Sequence, residues 1–128
     1  MARQPSDLEL QILSVLWRRG PSTVREVLEA MPDKKQRAYT SVQSVIQVME
    51  KKGLLEHDRP PDNLANVYRP RVTRRHVLGP LLRQLVTKVF EGSPSAAVQQ
   101  LLSATKISSE ELAELRQFLD DLEGKNQE

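Results

Sequence analysis

AYTSVQSVIQVMEKKGLL, residues 38–55, is the stretch on which the fold turns. Val42, Val45, Ile46 and Met49 recur at i, i+3, i+4 and i+7, the spacing of one buried helix face. The spacing predicts a helix over 39–52, and Gly53 ends it because glycine accepts the left-handed turn that closes a helix. Thr40-x-x-Gln43 offers a capping box, although a start at Ala38 is equally compatible. With that stripe turned inward, Ser41, Gln43, Ser44, Gln47 and Lys51 face outward, with Thr40 at the start. An ordinary solvated helix face carries Glu and Lys. This one carries short hydroxyls and amides, the groups that reach base edges, and Gln can pair with adenine through two hydrogen bonds.

Upstream, two shorter helices are marked. Ser6-x-x-Glu9 is a capping box, followed by Leu8, Ile12, Val15 and Leu16 at helical spacing and the stop Gly20-Pro21. Ser22 is the expected cap of a second helix carrying Val24, Val27, Leu28 and Met31, stopped by Pro32. Downstream, residues 54–59 and 67–71 read as two short strands around the turn Pro60-Pro61-Asp62-Asn63. Helix, helix, helix, hairpin is the order of a winged helix-turn-helix, whose third helix enters the major groove while the wing lies along the backbone. The expected fold is therefore mainly α with a small β-hairpin: a winged DNA-binding domain over 1–72, then a helical dimerisation domain over 73–128.

That second part carries a broad apolar stripe, Leu78, Leu81, Leu82, Leu85, Val89 and Phe90, followed by helices bearing Leu101 and then Leu112, Leu115 and Leu119. Ser93-Pro94 and Ser108-x-x-Glu111 mark the starts of these last two helices. Pro80 lies inside the first of the three, so that helix starts near Gly79 or bends there. A small winged unit cannot cover so much apolar surface, and burial against a second copy is the expectation. Two-fold pairing places two reading helices on one face of a dyad operator.

Charge is segregated along the chain. The total of 128 residues holds 19 Lys and Arg against 17 Asp and Glu. Residues 34–75 hold ten basic against four acidic side chains, and residues 105–128 hold three against seven. A basic segment is the usual footprint of a polyanion partner. Lys34, Lys35 and Arg37 precede the third helix, Tyr39 begins it, Lys51 and Lys52 close it, and Arg59, Arg69 and Arg71 lie on the wing. These are the expected phosphate contacts, together with Ser22 and Thr23 through their amides. The alternatives are a winged helix used for protein–protein assembly and a regulator that senses a small molecule in a pocket between its domains.

Catalysis is not indicated. There is no cysteine, and His57 and His76 are the only histidines, without the spacing of a zinc site. No Gly-rich loop ends in Gly-Lys-Ser/Thr. No metal and no cofactor are expected. No apolar run suggests a secretory signal or a membrane span, so the cytoplasm is the expected compartment.

The ordered set of motifs resembles the penicillinase repressor family of bacterial transcription regulators (BlaI/MecI/CopY type). It comprises ILSVLWRRGPSTVREV around Trp17, the stretch over 38–55, Val67-Tyr68-Arg69-Pro70, FEGSPSAAVQQLL and ISSEELAEL, and it spans nearly the whole chain. The resemblance implies a homodimeric repressor on double-stranded operator DNA. Its recognition pattern falls on Tyr39, Thr40, Ser41, Gln43, Ser44 and Gln47, with Trp17, Leu55 and Tyr68 as core positions. Relatives in the antibiotic-resistance branch are cut by an inducing protease at an Asn-Phe bond, and the matching pair here is Gln100-Leu101. The copper-responsive branch senses metal through C-terminal cysteines, which this chain lacks.

Overall fold

The computed structural model describes residues 5–31, 37–62 and 64–126. The elements run α1 (Asp7–Arg19), α2 (Val24–Ala30), α3 (Tyr39–Lys51), β1 (Leu55–Asp58), β2 (Val67–Pro70), α4 (Arg74–Val89), α5 (Pro94–Ala104) and α6 (Ser109–Asn126). The chain divides into two compact units, 1–83 and 84–128. The sequence reading places the division at 72/73 instead. The compact unit extends further because Val77, Leu78 and Leu81 on the first turns of α4 pack against the winged core.

In the first unit, α1, α2 and α3 enclose a core of Ile12, Leu13, Val15, Leu16, Val27, Val42, Ile46 and Met49, all at most 1% exposed. The Ser6 capping box starts α1: Ser6 Oγ accepts from the Glu9 amide, and Glu9 Oε1 accepts from the Ser6 amide. α2 starts one residue later than expected. Thr23, not Ser22, is the cap, in a reciprocal box with Glu26. α3 begins after Ala38 without any side-chain cap, so the Thr40 capping box does not form. Gly53, at φ +83°, turns the chain from α3 into β1 while the Leu54 amide bonds the Met49 carbonyl.

The wing is an antiparallel pair in the register Leu55↔Pro70, Glu56↔Arg69, His57↔Tyr68 and Asp58↔Val67. Two strands alone are marginal in water. Here the wing has a third edge: Ser22 and Tyr68 exchange both backbone hydrogen bonds, at 2.9 and 2.8 Å. Leu55 and Tyr68 anchor the hairpin in the core. Trp17 ties the end of α1 to the chain after the wing, its indole N–H donating to the Val72 carbonyl at 2.9 Å, with the Arg74 guanidinium over its ring. Trp17 thus has the packing role that the resemblance implies.

α4 begins at Arg74, a turn and a half before Gly79, with the Thr73 hydroxyl accepting from the His76 amide. Pro80 is therefore internal, and the His76 carbonyl loses its usual i+4 donor. In the second unit α5 and α6 bury no residue within the chain. Leu82, Leu85, Val89, Val98, Leu101, Phe118, Leu119 and Leu122 are all exposed, Val89 to 63% and Leu101 to 62%. No helix among the described residues is long and apolar enough to cross a membrane.

Candidate nucleic-acid interface

α3 presents the expected face. Val42, Ile46 and Met49 are fully buried, and Val45 is half-buried. Thr40, Ser41, Ser44, Gln47 and Lys51 are exposed. Gln43 is half-buried on the flank nearest the wing, sharing a shallow groove with Tyr39, Arg59, Asn66 and Tyr68. Lys51 makes no ion pair among the described residues. Because α3 has no side-chain cap, its first amides are left unsatisfied by side chains, unlike those of α1 and α2.

Sequence reading missed two residues on this surface. Val48 is 47% exposed on the outward flank of α3, where a valine reads as core by composition alone. Arg25, exposed on α2, lies with its guanidinium 5.3 Å above the Tyr39 ring. Its position on α2, directly before the reading helix, was the available signal.

The basic residues divide sharply once placed. Lys34 and Lys35 lie outside the described residues. Arg37 is half-buried just before α3. Ser22 is fully buried, its amide spent on the Tyr68 carbonyl and its hydroxyl on the Gly20 carbonyl, so it cannot hold a phosphate. The Thr23 amide is likewise taken, by Glu26. The sequence reading treated both as open helix-start amides, and long-range pairing plus the capping box removed them.

Lys52 is an internal tie. Its Nζ lies 3.0 Å from Oε2 of Glu9, whose side chain is 6% exposed, and it joins the end of α3 to the start of α1. Burial alone would raise the Glu9 pKa, but the Ser6 amide, Lys52 and the Ser6 hydroxyl overcome it and hold the carboxyl below the usual range. On the wing, Arg69 bonds Asp58 and Glu56, which raise its pKa further, and Arg71 approaches Glu56 at 3.8 Å. Arg59 donates to the Leu64 carbonyl at 2.7 Å and fixes the wing tip. His57 pairs with Glu50 and stacks obliquely on Tyr68. The wing cations are thus partly neutralised by their own neighbours, which sequence distance conceals.

Among the expected dimerisation residues, Leu82, Leu85, Val89, Leu101 and Leu119 are exposed, while Phe90, Leu112 and Leu115 are half-buried. Leu78 and Leu81 are half-buried and pack against the winged core within the first unit. Phe118, 58% exposed, belongs with the exposed set. Gln100 and Leu101 are exposed in the middle of α5. No cluster of His, Cys, Asp or Glu suited to a metal occurs among the described residues.

The chain is 33% identical over 119 residues to the transcriptional regulator BlaI of Mycobacterium tuberculosis, covering 91% of this chain and 83% of that one. It is 23% identical over 125 residues to the penicillinase repressor of Bacillus licheniformis, covering 98% and 96%. It is 22% identical over 115 residues to the methicillin resistance regulatory protein MecI of Staphylococcus aureus, covering 90% and 92%. Residues 5–121 match the profile of the penicillinase repressor family, and with the winged fold and the polar outer face of α3 in place, the chain belongs to that family of transcriptional repressors.

Proposed function

We infer that this protein represses transcription by binding a dyad operator in double-stranded DNA as a homodimer. The carrying observation is the exposed, charge-poor face of α3. Thr40, Ser41, Gln43, Ser44 and Gln47 are assigned to base edges in the major groove, and the exposed Val48 to a thymine methyl. The uncapped start of α3 at Tyr39, with Lys51 at its far end, supports phosphate contact at both ends of that helix. Arg25 and Arg37 add positive charge beside its first turn. Arg69 and Arg71 contribute only if the phosphate displaces Glu56 and Asp58.

The exposed leucines of α4, α5 and α6 support pairing with a second copy, since each large apolar side chain moved from water contributes roughly 1.5–3 kcal/mol. An operator-binding repressor of this kind works in the cytoplasm. Induction by proteolysis meets an obstacle at Gln100-Leu101: that bond is helical, whereas proteases take extended chain, so α5 would have to unwind first.

The test compares an operator duplex with a scrambled duplex. Gln43→Ala is expected to weaken operator binding by about 1–3 kcal/mol and scrambled binding far less. Equal loss on both duplexes contradicts base reading.

A further inference from the structure

A cavity in the first unit is not used by the DNA-binding reading. A groove of about 740 Å³ lies wholly within the first unit, between the turn that ends α3 and the first turns of α4. Its volume falls in the range of small-molecule sites, ~300–1,000 Å³. Its floor is apolar, formed by Leu54, Val72, Val77 and Leu81. Lys52, Arg75, His76 and Arg83 also line it, and no Asp or Glu among the described residues does. An apolar floor with cations and no lining carboxylate matches a molecule that is greasy at one end and anionic at the other.

We propose that this groove is a binding site for a small aromatic or branched-aliphatic carboxylate. The acid end meets the arginines of α4 and the apolar body lies on Val72, Val77 and Leu81. The wall contributed by Lys52, Gly53 and Leu54 is the turn that carries α3 into the wing, so an occupant touches the root of the reading helix. Lys52 is shared between this groove and Glu9, and a bound carboxylate competes for it. The inference concerns ligand binding and stands independently of operator recognition.

Gly79 provides the decisive variant. It is helical and lines the groove, and a Cβ there meets nothing closer than an Arg83 guanidinium nitrogen at 4.0 Å. A Cβ is therefore accommodated at this position, and Gly79→Leu adds apolar bulk to the groove wall while improving helix propensity. Amide NMR of the full chain, titrated with 1-naphthoate, is expected to move Lys52, Gly53, Leu54 and Gly79. The neutral 1-naphthalenemethanol should bind at least about tenfold more weakly. Gly79→Leu should abolish the response, and Arg75→Ala with Arg83→Ala should erase the preference for the acid. The proposal is overturned by equal affinity for acid and alcohol, or by unchanged binding in folded Gly79→Leu. It is also overturned if the shifts fall on Phe118, Leu119 and Leu122, which would be adsorption to the exposed apolar face. Binding that appears only in a monomeric Leu85→Glu variant also overturns it, because the occupant would then be a second copy of the chain.

Discussion

Lys51 and Lys52 are neighbours in sequence, and their removal should have opposite consequences. Lys52→Ala removes the cation that lies 3.0 and 3.3 Å from the two oxygens of Glu9. Breaking a buried ion pair costs about 3–5 kcal/mol, and an exposed pair is worth less than about 1 kcal/mol. Here the carboxylate is 6% exposed and the lysine 40%, so the cost lies between these limits. Glu9 also keeps its bond to the Ser6 amide, at 2.9 Å, which limits the loss. About 1–2 kcal/mol is expected, or a fall in Tm of roughly 4–16 °C for a unit of this size. Urea unfolding at a fixed protein concentration measures it, with Lys52→Met as a control that keeps part of the stem. The salt slope of DNA binding should not change in Lys52→Ala. Lys51→Ala should preserve stability and lower that slope by about 0.9, one phosphate contact. If Lys52→Ala is as stable as wild type within about 0.3 kcal/mol and flattens the salt slope instead, Lys52 is a phosphate ligand and the tie to Glu9 is illusory.

Other outcomes follow from the same geometry. Because the Glu9 pKa is depressed by folding, its contribution is complete above the unfolded value near ~4.3 and is lost as pH falls through the folded value; Glu9→Gln should flatten the acid limb of a stability–pH curve, and an unchanged limb would contradict the assignment. Trp17→Phe removes the one donor to the Val72 carbonyl among the described residues and should cost about 1–2 kcal/mol by urea unfolding; a neutral result would mean water replaces it without loss. Leu85→Glu or Phe90→Glu should sediment as a monomer with poor operator affinity, and a wild-type monomer would refute the dimer.

Local signals carried most of the fold into view before any coordinates. The 3.6-residue stripe of Val42, Ile46 and Met49 depends only on neighbours within two turns, and so did the Ser6-x-x-Glu9 box and the stop at Gly53. The polar outer face of α3 was legible for the same reason: once one side of a helix is committed to the core, the other is fixed by geometry.

Charge at the site was only half legible. The sequence counts a lysine or arginine as available, but availability depends on what folding brings beside it. Lys52 met Glu9 from the opposite end of the unit, and Arg69 met Glu56 and Asp58 across the hairpin. Ser22 became a strand partner of Tyr68, a pairing with no periodicity to announce it.

The sequence by itself therefore determined the helices, the hairpin, the polar outer face of α3 and the family, because these are written in spacings of a few residues. Tertiary structure alone decided which cations are spent inside the molecule and where the winged core ends on α4. It also created the cation-lined groove beside Gly79. Those outcomes depend on long-range contacts, and such contacts set the electrostatic partner of each charge without leaving a local pattern.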